Sequence, residues 1–168
     1  APVNILTSEQ QQQFAKTHTD LAKQANLNGV AQDLEGDQVF WRVVGGSHGV
    51  ATLNADGKTL SFKPEAGFSG MATVIVQADD GFSQAAPIEL SFNVSDAKLL
   101  FINIERIQGL ALGSGYKRAL TGDFADETGV ELSADYVRFV SSNDQVISVD
   151  ALGNVRDPGE GQAVVKAI

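Results

Sequence analysis

The chain has no cysteine, two histidines, one methionine and only four prolines in 168 residues. Without cysteine there is no disulfide framework, no thiolate nucleophile and no cysteine-ligated zinc site. His18 and His48 alone leave little for zinc or for general-base catalysis. Basic side chains are scarce too, with 12 Lys and Arg against 21 Asp and Glu for a formal net charge of -9. A nucleic-acid partner needs a basic stripe to displace counterions from phosphates, so that class is excluded, and an anionic membrane surface is disfavoured for the same reason. The acidity is spread along the chain: residues 1–95 carry 5 basic and 10 acidic side chains, residues 96–168 carry 7 and 11. No apolar run approaches the roughly 20 residues of a membrane-spanning helix, and no basic-then-apolar start marks a signal peptide, so no direct membrane insertion is expected. Ala1-Pro2-Val3 opens without methionine, as an excerpt or a processed form would, with any export signal lying upstream.

What the chain does have is 43% hydrophobic residues, ample for packed cores, and 17 glycines. From Gly49 to Gly81 these resolve into a pattern. Val50, Thr52 and Leu53 run into Asp56-Gly57, and Leu60 and Phe62 then alternate with polar residues, which reads as a β-hairpin. Pro64 and the glycines after it break the pattern before Met71 to Ala78 resumes as a strand rich in β-branched residues, ending at Asp80-Gly81.

The first thirty residues support two readings. Ser8 with Gln11 forms a candidate capping box, and Phe14, His18, Leu21, Ala22 and Ala25 share one helical face, which predicts a helix from about Glu9 to Ala25. Thr17, Thr19 and Leu21 instead alternate as an edge strand would. Gly29 to Asp37 reads as a turn-rich acidic loop. Val39 to Val44 reads as a strand with Trp41, the one tryptophan, as a core anchor and Phe40 on the other face. Gly45 to Gly49 reads as a loop, and Ile88, Leu90, Phe92 and Val94 alternate with Glu89, Ser91 and Asn93 as a half-buried strand. Asn93-Val94-Ser95 fits a glycosylation sequon, which has meaning only in a eukaryotic secretory setting.

The cycle restarts after Asp96-Ala97. Leu100, Ile102 and Ile104 oppose Phe101 and Asn103 in a strand over Leu99 to Ile107, and Gly109 to Gly115 punctuates it. That glycine stretch lacks the lysine and hydroxyl of a P-loop and reads as a connection. Strands follow at Tyr116 to Phe124, Val137 to Val140, Val146 to Val149 and Gln162 to Ile168, with turns at Asp126 to Gly129, Ser141 to Asn143 and Leu152 to Asn154. Short strands with turn signals every 8 to 12 residues, in two sets, predict an all-β chain of two consecutive Ig-like β-sandwiches, residues 1–96 and 97–168, with a short N-terminal helix as an option. Val146 and Val165 are expected in the second core, Trp41 and Phe62 in the first.

The ordered series Asp33-Leu34-Glu35-Gly36-Asp37, His48-Gly49, Asp56-Gly57, Pro64 through Gly67-Phe68-Ser69-Gly70, and Asp80-Gly81 resembles the cadherin-like repeats of large bacterial surface and adhesion proteins. Ser141-Ser142-Asn143, Val146, Val149-Asp150, Gly153-Asn154-Val155 and Gly161 through Val165 resemble the bacterial immunoglobulin-like group 2 domain. In the first family the acidic loop has an aspartate where Glu35 stands, and the glutamine-rich segment from Gln10 to Gln13 has no counterpart. The resemblances imply cadherin-like and Ig-like sandwiches of an extracellular or cell-surface bacterial protein.

Asp33, Glu35, Asp37 and Asp80 are the candidate site. Calcium takes six to eight hard oxygens, and an ion relieves repulsion among clustered carboxylates. An EF-hand is excluded, because Gly36 is fourth rather than sixth in such a loop and the twelfth residue, Val44, is apolar. The alternative is a solvated acidic turn. Ser47 beside His48 does not make a nucleophile and its base, because neighbours in a strand point to opposite faces. The resulting expectation is a non-catalytic structural or adhesive module pair, partnered by neighbouring modules and by a surface protein or glycan, with calcium as the one candidate cofactor. The alternative is an accessory spacer or carbohydrate-binding region of a secreted multidomain enzyme.

Overall fold

The computed structural model describes residues 1–104, 115–117, 120–133, 135–151, 154–156 and 165–167. These fall in two compact units, Ala1–Asp96 and Ala97–Ile168. The connection from Gly109, the Leu152-Gly153 turn, the opening of the last expected strand before Val165 and the side chain of Val165 lie outside the described residues.

In the first unit the order is β1 (Pro2–Asn4), α1 (Ser8–Gln12), β2 (Ala15–His18), β3 (Lys23–Asn26), β4 (Ala31–Asp33), β5 (Phe40–Ser47), β6 (Gly49–Leu53), β7 (Thr59–Pro64), β8 (Gly70–Asp79) and β9 (Ile88–Ser95). One sheet runs β2-β9-β8-β5, the other β3-β7-β6, and β1 pairs with β4 as a ribbon. The alternation of β8 and β9 aims Ala72, Val74, Val76, Ala78, Ile88, Leu90, Phe92 and Val94 inward, where all are buried. Leu60 and Phe62 of β7 answer from the opposite sheet, and the Phe62 and Phe92 rings meet at 4.6 Å. Trp41 is half-buried against this core, whereas Phe40 is 52% exposed.

Of the two readings of the N-terminal stretch, the long helix from Glu9 to Ala25 is corrected, and a short helix followed by strands forms instead. The helix lasts five residues, and its capping box is Thr7 with Gln10 instead of Ser8 with Gln11. The chain then leaves the helical path, and Ala15 to His18 pairs in parallel with Phe92 to Ser95, burying Thr17 and His18. Helix propensity in the glutamine-rich stretch yields because a ladder to β9 satisfies the backbone while Phe14 packs edge-on against Phe92. The Gly29 to Asp37 segment is likewise not all loop, since β4 pairs with β1.

Gly45 to Ser47 continues β5 rather than looping out, with a register shift between Val43 and Gly45. His48 alone makes the corner, at φ 57°, and sends the chain into the opposite sheet. Gly49 follows because a Cβ there would lie 2.5 Å from the Phe62 ring.

The β6–β7 hairpin pairs Gly49 with Pro64 through Leu53 with Leu60. Its turn needs Gly57 at φ 70° and is held by Asp56, whose carboxylate accepts the Thr59 hydroxyl and the amides of Lys58 and Thr59. Those donors favour the ionised form and hold the carboxyl below its ordinary value. A depressed folded pKa stabilises above the unfolded value and is lost as pH falls through the folded one. The stability gap between wild type and Asp56→Asn, from denaturant melts at neutral pH, should therefore close below about pH 4. A gap independent of pH would assign the loss to something other than the charge.

The second unit contains β10 (Leu99–Ile104), β11 (Gly115–Lys117), β12 (Leu120–Phe124), β13 (Val130–Glu131), β14 (Phe139–Ser141), β15 (Ser148–Val149), β16 (Asn154–Arg156) and β17 (Val165–Ala167). They form antiparallel sheets β10-β12-β13 and β11-β16-β15 and the pair β14-β17. The expected single strand from Tyr116 to Phe124 is two, since β11 pairs with β16 and β12 with β10. A bulge between Leu99 and Phe101 breaks the expected alternation, leaving both Leu100 and Phe101 exposed. Leu120, Phe124, Leu132 and Val137 are buried, and Val146 is half-buried.

Candidate cation site and family

Two loops meet at one pole of the first unit. The acidic loop leaves β4, which is fixed by pairing Asp33 with Pro2. The other turn leaves β8, whose last residue Asp79 lies opposite Phe40 at the start of β5. Asp33 and Asp80, far apart in sequence, thereby converge: their Oδ2 atoms lie 3.3 and 3.1 Å from the Ala1 nitrogen.

Each carboxylate uses its other oxygen to shape its own loop. Asp33 Oδ1 accepts the amides of Glu35 at 2.8 Å and Asp37 at 3.3 Å, with Gly36 at φ 87° between them. Asp80 Oδ1 accepts the amides of Phe82 and Ser83, and the Ser83 hydroxyl donates to Oδ2. The Ser83 and Phe82 amides hold the Asp80 carboxyl well below the usual carboxylate range. Burial pushes Asp33 up, but the Glu35 and Asp37 amides and the Ala1 ammonium outweigh it, and its carboxyl too is lowered. Both groups are thus held ionised, with an oxygen of each aimed at one place.

The structure brings Asp33, Glu35 and Asp37 within reach of one ion, with one carboxylate oxygen from each lying within 4.8 Å of the others. Asp80 is outside that trio and is linked to it through the Ala1 ammonium that it shares with Asp33. The Asp33 side chain is fully buried, and its Oδ2 faces the Ala1 ammonium at 3.3 Å. Carboxylate oxygens are the hard donors that calcium takes, but the point that Asp33 and Asp80 share is held by the Ala1 ammonium.

Ser47 and His48 are engaged separately. The Ser47 hydroxyl pairs with that of Thr73 at 2.9 Å, while the His48 ring stacks on Phe68 with centroids 4.3 Å apart and planes at 4°. The His48–Phe68 contact and the carboxylate of Glu65 beside it were not legible in the sequence, because the Pro64 to Gly70 turn returns to the His48 corner only through the hairpin.

The bacterial Ig domain family profile matches residues 2–97. The chain belongs to that family. No curated protein matches it. Among solved structures, this bacterial Ig chain is similar to an endo-fucoidan hydrolase of glycoside hydrolase family 107, at 19% identity and TM-score 0.44, over 93% of this chain and 24% of that one. It is also similar to human protocadherin-24 EC1-2, at 15% identity and TM-score 0.41, covering 95% and 77%. The D00-D0 domain of intimin is similar at 16% identity and TM-score 0.34, covering 90% and 86%. The chain spans about a quarter of the fucoidan hydrolase's length.

Proposed function

We propose that this chain is a non-catalytic structural and adhesive module pair of an extracellular or cell-surface bacterial protein, stabilised by calcium at the acidic pole of its first unit. The observation that carries the reading is the family membership of residues 2–97. The convergence of Asp33 with Asp80, beside Glu35 and Asp37, supports the calcium part. Asp33, Glu35, Asp37 and Asp80 would hold the ion, and it would cross-brace two loops whose like charges otherwise repel. The second unit is read as a bacterial immunoglobulin-like group 2 domain, so that the pair acts as a spacer and a presenting surface.

A module pair requires each half to fold by itself. Residues 1–96 and 97–168, expressed separately, should each give a cooperative thermal transition, and their melts should sum to that of the whole chain. Absence of a cooperative melt in either piece would show an interdependent fold and overturn the two-module reading.

A further inference from the structure

One cation stands in the acidic pole, and it belongs to the chain itself. The Ala1 nitrogen reaches Asp33 Oδ2 at 3.3 Å and Asp80 Oδ2 at 3.1 Å. The two carboxylate side chains are 0% and 2% exposed, whereas Ala1 is 59% exposed. Since the Oδ1 atoms accept the amides of Glu35, Asp37, Phe82 and Ser83, the Oδ2 atoms are what each group has left for a cation. The nitrogen is delivered there by β1, whose ladder pairs Pro2 with Asp33 through Asn4 with Ala31 and continues as the Ile5 amide donates to the Val30 carbonyl at 3.0 Å. Backbone pairing thus fixes the neighbouring residue, and charge holds the terminal group between the two loops. An ion bridging the same two oxygens needs the place that the nitrogen holds. Of the Asp33, Glu35 and Asp37 trio, the buried member is the one that the ammonium engages, so calcium meets it already paired.

We propose that Asp33 and Asp80 form a clamp that takes one cation at a time, so that a free α-amine at Ala1 is a built-in competitor of calcium at this pole. This competition rests on the calcium reading and names what regulates its site. The positive charges of ammonium and ion repel each other at such short range, and the tether through β1 keeps the ammonium at a high effective concentration beside the clamp. Acetylation of the nitrogen, or its linkage to a preceding residue, leaves a neutral amide with no charge to offer the carboxylates. Calcium then meets two buried carboxylates whose mutual repulsion it alone relieves. The chemical state of one nitrogen, free or acylated, therefore sets how tightly the pole holds its ion.

The test compares the whole chain with a free amine and the same chain acetylated at Ala1, by calorimetric titration with calcium chloride at neutral pH and matched ionic strength. Acetylation is expected to tighten calcium binding at least about tenfold. Asp80→Asn removes a charge that both cations need, so in that background the gain from acetylation should shrink to under about threefold. The amide signals of Val3, Asn4 and Ala31 to Asp33 show whether β1 stays paired in each form. Equal affinity of the two forms would overturn the competition and leave the calcium reading standing. Weaker binding by the acetylated chain, with β1 released, would overturn it as well and make the amine a strut of the pole instead of a rival of the ion. A gain that persists undiminished in Asp80→Asn would place the competition away from the clamp and so overturn it. Binding by neither form would overturn the competition and the calcium reading together.

Discussion

Truncating Phe62 to alanine is expected to destabilise the first unit by about 3–5 kcal/mol. Phe62 is 1% exposed and is the largest side chain that the β3-β7-β6 sheet sends into the core. Its ring packs on Phe92 of the facing sheet, and such an aromatic pair adds about 0.5–1.5 kcal/mol to the burial itself. The cavity would not fill easily, because Gly49, the close neighbour of the ring, has no side chain to move into the space. Denaturant unfolding followed by Trp41 fluorescence isolates the effect, since the one tryptophan of the chain packs on this core and reports no other. Val50→Ala, on the exposed face of the same hairpin, is the control and should stay within about 0.5 kcal/mol of wild type. A loss under about 1 kcal/mol for Phe62→Ala would mean that the two sheets do not close over this ring in solution.

Calcium is expected to produce the second large effect. An ion that binds only the folded unit stabilises it by about 2.7 kcal/mol at 100 times its dissociation constant. For a unit of this size that corresponds to a rise of about 10–20 °C in melting temperature. The rise should reverse with chelator, and Asp37→Asn should blunt it, because Asp37 is an exposed member of the carboxylate trio and its loss leaves the Asp33 loop hydrogen bonds to the backbone intact. Magnesium should substitute poorly, since it demands tighter octahedral geometry and sheds its water reluctantly. The comparison must be made at matched ionic strength, because screening of an acidic surface alone raises stability. An unchanged melt in millimolar calcium would remove the ion from the proposal, and the acidic loop would then be a solvated turn closed by its own backbone.

The all-β class and most of the first unit's strands were legible wherever a segment's local chemistry and its tertiary partner agree. Asp56-Gly57 demands a tight turn whatever surrounds it, and the alternation over Ile88 to Val94 has one burial solution, so both elements follow from residue order. Gly45 to Ser47 shows the opposite case: its glycines signal a loop, but close approach to Thr73 and Val74 makes them strand residues, because a Cβ on Gly46 would meet the Thr73 carbonyl at 2.6 Å. Residues 8–26 carry helix formers and β-branched residues together, and only the free edge of β9 decides between them, by offering Ala15 to His18 a parallel ladder. The carboxylates were visible as residue types, since acidic turns announce themselves in sequence. That Asp33 and Asp80 aim an oxygen each at one point, while Glu35 and Asp37 stay exposed, was settled by the β1–β4 and β5–β8 pairings. A chain can specify which groups it owns and which local turns they favour, but the distance between groups tens of residues apart is a property of strand register, and register is chosen by the core as a whole.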